Sequence, residues 1–368
     1  MKKITVSLLQ HSYSICIDDS LKNIASELKR NGKAKYPKIL IVTHPKLQKL
    51  YGKKLQEKLK SVAEFCAVTT IPEGEQSKNL STVQELYRVC LKNKLDRSSC
   101  IVALGGGVVG DVSGFVAATY LRGIDLLQVP TSLLAMVDSS IGGKTGVDLP
   151  YAKNSVGAFH QPRLVWIDIS LLKTLPEREF RNGMAEIIKY GVIADRALFK
   201  NLESWVKNKK EEDLIKIIER CVAIKARVVS EDEKETQGLR EILNFGHTIG
   251  HAIESVTEYR VYKHGEAVAL GMGAAAFIAL QRRQLQLAEF ERIKNLIAAF
   301  GLPTVLQKPL KESSIALALS NDKKVLSGKW RFVLPSAIGK VIVTGVSAPE
   351  AMKGFRSILP KIKKTKGH

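Results

Sequence analysis

The chain has 368 residues, 45% of them hydrophobic, enough to bury the cores of two domains. Its net charge of +21 comes from 57 basic and 36 acidic residues spread along the sequence, with one true basic run in the tail at 361–366. Aromatic residues make up 6% and do not interleave with the basic ones, which argues against nucleic acid as a partner and leaves solubility or an anionic small molecule.

Met1-Lys2-Lys3 has the look of a secretory leader, but Gln10 and His11 interrupt the apolar stretch behind it. That stretch, 4–17, alternates as a strand does. Aliphatic and β-branched runs at 38–43, 64–69, 100–104, 125–129 and 164–169 predict further strands. Between them, 46–61 and 79–94 carry apolar residues at three-to-four spacing and predict helices. Strand and helix in repetition predict a largely parallel sheet with helices on its faces.

The character changes at Leu175-Pro176-Glu177. Beyond it, the windows 184–194, 211–232, 241–256, 265–283 and 286–300 all read as helices, followed by a short two-stranded element at 331–335 and 340–344. The expected organisation is an α/β domain at 1–175 and a helical domain at 176–368, with no internal repeat. The longest apolar stretch, 267–280, is too short and glycine-rich to span a bilayer, so no membrane partner is expected. Cys16, Cys66, Cys90, Cys100 and Cys221 are odd in number and lack a CxxC pair, which fits reduced thiols in the cytoplasm.

Gly105, Gly107 and Gly110 satisfy G-x-G-x-x-G between the strand at 100–104 and a helix. Such a loop brings backbone N–H groups up to a pyrophosphate at a helix N-terminus, though tight turns also use glycine for packing alone. An ordinary dinucleotide fold adds an acid at the end of the next strand. Asp125 has the spacing but begins that strand, so the expectation is a dinucleotide held in a variant geometry.

The second half carries metal-ligand chemistry in GMAEIIKYG, NFGHTIGHAIE and HGEAVALGM, with Glu186, His247 and His264. One carboxylate and two imidazoles suit catalytic zinc, because three protein ligands leave a coordination position open. A lone buried histidine is more often satisfied by a carbonyl, yet three of the seven histidines crowd 247–264 among Gly246, Gly250, Ala252, Gly265 and Ala267. Small neighbours let helices approach and bring imidazoles together. HTIGH lacks the glutamate of a metalloprotease motif. Lys144, Lys153, Lys189, Lys225 and Arg240 fall in or near these segments; they are solvated charges or the shell of a multiply anionic substrate such as a phosphorylated sugar acid. A nucleotide cradle and an open metal site together suggest redox chemistry on a metal-bound hydroxyl.

These segments resemble the 3-dehydroquinate synthase family of the sugar phosphate cyclase superfamily over nearly the full length. The matching stretches are PEGEQSK (72–78), GGGVVGDVSGFVAATYLRGI (105–124), QVPTSLLAMVDSSIGGKTGVD (128–148), KNSVGAF (153–159), LPEREFRNGMAEIIKYG (175–191), LNFGHTIGHAIE (243–254) and HGEAVALGM (264–272). The resemblance implies an NAD-binding N-terminal domain, a helical metal-binding C-terminal domain and an active site in the cleft between them. By matching position it implies Glu186, His247 and His264 as ligands of zinc or cobalt. It implies Glu75, Lys78, Gly106, Gly107, Asp111, Thr131, Ser132, Asp138, Lys144, Lys153, Thr174 and Leu175 around NAD. Asp138, Lys144, Asn154, Lys189, Lys225, Glu235, Arg240, Asn244 and His251 match the substrate and catalytic shell. Arg122 matches an arginine that reaches a neighbouring subunit, so a homodimer is implied, and Lys323 or Lys324 matches a further active-site lysine.

Three positions depart from the family pattern: Gln237 looks like an insertion between Glu235 and Arg240, His44-Pro45 stands where an acid or amide is common, and Arg178 stands where a glutamine often occurs. The implied reaction converts 3-deoxy-D-arabino-heptulosonate 7-phosphate to 3-dehydroquinate and phosphate. It proceeds by NAD-assisted oxidation, phosphate elimination, reduction and intramolecular aldol closure, with no net redox change. The rival readings are another sugar phosphate cyclase, or a metal- and NAD-dependent alcohol or glycerol dehydrogenase.

Overall fold

The computed structural model describes residues 1–9, 11–150, 152–321, 325–326 and 329–360; the tail at 361–366 and the Lys323/Lys324 pair lie outside them. The chain forms two compact units, one from Met1–Phe180 with Ile218–Thr236 and the other from Arg181–Ile217 with the chain from 237 onward. A single cut at Leu175 assigns 218–236 to the second domain, whereas by packing that stretch belongs to the first unit. The reason is the helix Glu211–Glu231, which runs unbroken through both.

Among the described residues, nine strands lie in the first unit: β1 (Lys2–Val6), β2 (Tyr13–Asp18), β3 (Tyr36–Thr43), β4 (Ala63–Thr70), β5 (Cys100–Gly105), β6 (Asp125–Pro130), β7 (Lys144–Leu149), β8 (Ala152–Phe159) and β9 (Leu164–Asp168). Seven make one sheet in the order β1-β2-β9-β6-β5-β3-β4, parallel except for β1 against β2. β5, β6 and β9 are buried along their whole length, as strands covered on both faces must be. The single strand expected at 4–17 is instead the β1–β2 hairpin. β7 and β8 form a separate antiparallel pair that the pattern did not predict.

Helices follow the apolar spacing. Leu80–Lys92 buries Val83, Leu86 and Cys90, and its Asn79 cap accepts from the Thr82 amide. The predicted helix at 46–61 runs from 45 to 62 with a widened turn at Gln48–Gly52. After β4 the chain crosses back over β3 to form β5, so the strand order reverses between them. In open α/β sheets, ligands bind at the carboxyl ends of strands at such a point.

In the second unit the helices His247–Val256, His264–Gln281, Leu287–Ala299, Glu312–Asn321 and Ala348–Ser357 pack with the small antiparallel sheet β10 (Val325–Leu326), β11 (Lys329–Ala337) and β12 (Lys340–Val346). The predicted two-stranded element is therefore present and slightly longer. The window 241–256 is not one helix: a short turn, Leu239–Asn244, stops before Gly246, whose φ of 81° starts His247–Val256 in a new direction. Among the described residues no helix is long and apolar enough to cross a membrane.

Candidate active site

Glu186 lies on the helix Glu177–Ile193, His247 begins one helix and His264 begins the next. Their ligating atoms all lie within 4.8 Å of one another. His247 Nε2 is 3.6 Å from Glu186 Oε1, and His264 Nε2 is 3.7 Å from the same oxygen. Ligands about 2.1 Å from a tetrahedral ion stand roughly 3.4 Å apart, so these separations match a shared cation. The ring orientations match as well. The His247 Nδ1 lies 3.1 Å from the Phe245 carbonyl, and His264 Nδ1 lies 3.3 Å from Glu254 Oε1. With each Nδ1–H given to an acceptor, each Nε2 keeps its lone pair toward Glu186.

The electrostatics agree for His247. Burial, then the charge of Lys189 and the neighbouring imidazoles, holds its pKa well below the ordinary value, so the ring is neutral and able to ligate. Burial also pulls on His264, but its bond to Glu254 and the charges of Glu254 and Glu186 outweigh that and raise it. Lys189, one helical turn from Glu186 and almost fully buried, forms an ion pair with that carboxylate.

Glycines make this convergence possible. A Cβ on Gly265 would overlap the Asn182 carbonyl oxygen, and the Gly265 amide donates to the Asn182 side chain. A Cβ on Gly250 would lie 3.1 Å from the Ala267 carbonyl oxygen. The helices bearing His247 and His264 thus meet backbone to backbone, as the small neighbours in the sequence suggested. His251 stands one turn beyond His247, exposed, with ring centroids 5.2 Å apart. Arg240 is 2% exposed, and Asn244 borders a shallow crevice with Gly246, Thr248 and Phe332.

The first unit gathers most of the other expected residues. Gly106 precedes the helix Gly107–Thr119, and no side chain caps that N-terminus, which leaves amides free for an anion. None of Gly105, Gly106, Gly107 and Gly110 has a positive φ. They are needed for room instead: Gly105 lies against Val109, Gly106 against Ser132 and Gly107 against Ser139. Thr131 donates its amide to the Gly105 carbonyl at 2.9 Å. Lys78 reaches Asp111 at 2.6 Å and also donates to Asn154, while Lys153 meets Glu75 at 2.9 Å. Burial opposes the charge on Lys78, but Asp111 overcomes it and keeps the lysine protonated. Thr174, just before Leu175, bonds the Tyr51 hydroxyl at 2.6 Å.

Asp138 pairs with Lys225, and Lys144 pairs with Glu235. Gln237 falls in a turn where Glu235 (φ 57°) and Gly238 (φ 78°) both adopt left-handed backbone, so Glu235 still meets Lys144. His44-Pro45 also has a local cause: Pro45 is at the first helical position, where the missing N–H costs nothing. Asp125, at the start of β6, is occupied by Tyr36 and Arg163, which removes it as a ribose partner.

Sequence reasoning missed Glu254, Asn182 and Asp148. Glu254 was recoverable, being seven residues after His247 and so on the same helical face. Asp148 accepts the Asn154 amide at 2.7 Å, fixing that residue's left-handed turn.

Residues 68–182 match the family described as 3-dehydroquinate synthase N-terminal, and 183–325 match 3-dehydroquinate synthase C-terminal. The 3-dehydroquinate synthase of Nostoc punctiforme is 52% identical over 347 residues, covering 93% of this chain and 95% of its own. That of Rippkaea orientalis is 49% identical over 356 residues, 95% of this chain and 96% of its own. Among solved structures, 2-deoxy-scyllo-inosose synthase with carbaglucose-6-phosphate, NAD+ and Co2+ is 27% identical, with TM-score 0.87 over 97% of this chain and all of that one. The 2-epi-5-epi-valiolone synthase of Streptomyces hygroscopicus subsp. jinggangensis, with NAD+ and Zn2+ bound, is 27% identical, with TM-score 0.86 over 96% of this chain and 98% of its own.

Proposed function

The chain belongs to the 3-dehydroquinate synthase family, and from that premise we propose how its own residues convert 3-deoxy-D-arabino-heptulosonate 7-phosphate to 3-dehydroquinate and phosphate. Members of this family are phosphate-eliminating cyclases that use NAD and a divalent metal. Glu186, His247 and His264 hold the zinc or cobalt ion, which when bound supplies a Lewis acid for a substrate hydroxyl. The convergence of these three side chains, with both Nδ1 atoms already committed to acceptors, carries the reading.

Bound NAD would supply a reversible hydride acceptor for a reaction with no net redox change. The amides at Gly106 and Gly107 receive its pyrophosphate, and the Lys78–Asp111 and Lys153–Glu75 pairs, with Thr131, Ser132, Thr174 and Leu175, hold the rest. Lys144, Lys189, Lys225 and Arg240 neutralise the carboxylate and phosphate of the substrate, with Asp138 and Glu235 setting the direction of Lys225 and Lys144. His251 is an exposed imidazole one turn from His247 and handles protons, while Asn154 and Asn244 position the substrate.

Other sugar phosphate cyclases act on substrates without the carboxylate, and their basic shell is expected to be thinner. Lys225 and Arg240 are both retained here, and the identity to dehydroquinate synthases is nearly twice that to the inosose and valiolone enzymes. Incubation with NAD+ and the heptulosonate phosphate is expected to release phosphate with no lasting NADH absorbance, and omitting NAD+ is expected to stop it. Net NADH accumulation without phosphate indicates a dehydrogenase and refutes the assignment.

The working form is a homodimer in the cytoplasm. Arg122 supports the first part. It is exposed beside exposed Leu121, both have left-handed backbone (φ 68° and 52°), and Arg122 has no hydrogen bond or ion pair with the described residues. An arginine held at such a tip suits a partner's site. Sedimentation giving a monomer at working concentration contradicts this. Five free cysteines support a reducing compartment.

A further inference from the structure

The two candidate metal-binding imidazoles are anchored by different means. His247 gives its Nδ1 to the Phe245 carbonyl, a main-chain group that no substitution removes. His264 stands at the first position of its helix, and its Nδ1 faces the carboxylate of Glu254, whose two oxygens lie 3.3 and 3.4 Å away. Glu254 is 7% exposed and lies on the helix that begins with His247. One imidazole is therefore pinned between two carboxylates, Glu254 at Nδ1 and Glu186 at Nε2.

We propose that Glu254 is a positioning residue for the metal: it fixes the tautomer and ring direction of His264 and sets the affinity of the site. A carboxylate only accepts, so Nδ1 must carry the proton and Nε2 must keep its lone pair for the cation. The negative charge also makes the imidazole a better donor. A backbone carbonyl has settled the same question for His247, so Glu254 is where the sequence itself controls the strength of the site. This inference rests on the reading of Glu186, His247 and His264 as the metal ligands.

The test is zinc affinity by chelator competition on the full-length protein, with the visible spectrum of the cobalt-loaded form as a second readout. Glu254→Gln is expected to weaken zinc by about 10-fold and Glu254→Ala by up to ~100-fold, the range for losing a group that orients a ligand. Glu254→Asp is expected to recover part of the loss, and the cobalt bands are expected to shift in the Gln variant. Unchanged affinity and spectrum in Glu254→Gln overturn the proposal. His251, Glu254 and His264 also bring ligating atoms within 4.8 Å, so a second zinc equivalent that vanishes in Glu254→Gln, with the first unaltered, overturns it too. Should the variants fail to fold, the ring ¹⁵N shifts of the zinc-loaded wild-type protein decide: Nδ1 protonated supports the proposal, and Nδ1 bound to metal refutes it. A wild-type chain that holds no tight zinc rejects the site itself, which is a separate failure.

Discussion

Replacing His247 with alanine is expected to remove the bound metal and turnover together. Three protein ligands are the minimum for a catalytic cation with an open position, and the substitution leaves two. Affinity is expected to fall by more than the ~100-fold typical of losing a residue that merely orients a ligand. A Lewis acid contributes several kcal/mol to the stabilisation of developing charge, so turnover is expected to drop roughly 10³-fold or more. The structure separates this outcome from simple unfolding. His247 has its pKa held well below the ordinary value by burial and is neutral, so its loss strands no charge in the protein. Glu186 keeps its ion pair with Lys189, and the Phe245 carbonyl returns to solvent or water. Helix content in the metal-free variant is therefore expected to match the metal-free parent, and added imidazole is expected to restore part of the metal binding. A metal-free His247→Ala protein with full activity rejects the site.

The parallel sheet was legible because its central strands are short β-branched runs with no polar interruption, such as 38–43 and 100–104. β7 and β8 were not, since KTGVDL and AKNSVGAF mix glycine, charge and single apolar residues, and they form a two-stranded sheet apart from the main one. The return of 218–236 to the first unit was invisible for a different reason: the helix carrying it has no break at which a change of neighbours could be read. In the candidate site, the three candidate ligands were readable as residue types among small neighbours, whereas the proposed roles of Lys78, Asp111 and Asn154 came from family resemblance. Nothing in their spacing tells that Lys78 contacts both of the others. Glu254 was passed over because a lone acid near a helix end reads as a solvated charge until His264 is placed beside it.

The second large effect concerns Gly271, which carries no chemistry. A Cβ on Gly271 would overlap the Gly246 carbonyl oxygen and lie 2.8 Å from its carbon and 2.9 Å from the Gly250 nitrogen. These are backbone atoms, so no side-chain rotation can relieve the clash. Gly246 cannot retreat easily either, because its φ of 81° starts the helix that presents His247. Gly271→Ala is therefore expected to cost about 3 kcal/mol of unfolding free energy by urea titration, the upper range for overpacking. It is also expected to weaken zinc binding, because the helices move apart where the imidazoles converge. Gly273, two residues along the same helix, is the control: its Cβ would meet nothing closer than Ile358 Cγ2 at 3.8 Å. Gly273→Ala is expected to stabilise by up to ~1 kcal/mol, because alanine loses less conformational freedom in a helix interior than glycine does. Helix propensity alone predicts that both substitutions stabilise, and only backbone contact at Gly271 predicts opposite signs. Equal effects within about 0.5 kcal/mol, the scatter of ordinary surface changes, would mean that close helix approach does not hold His247 toward Glu186.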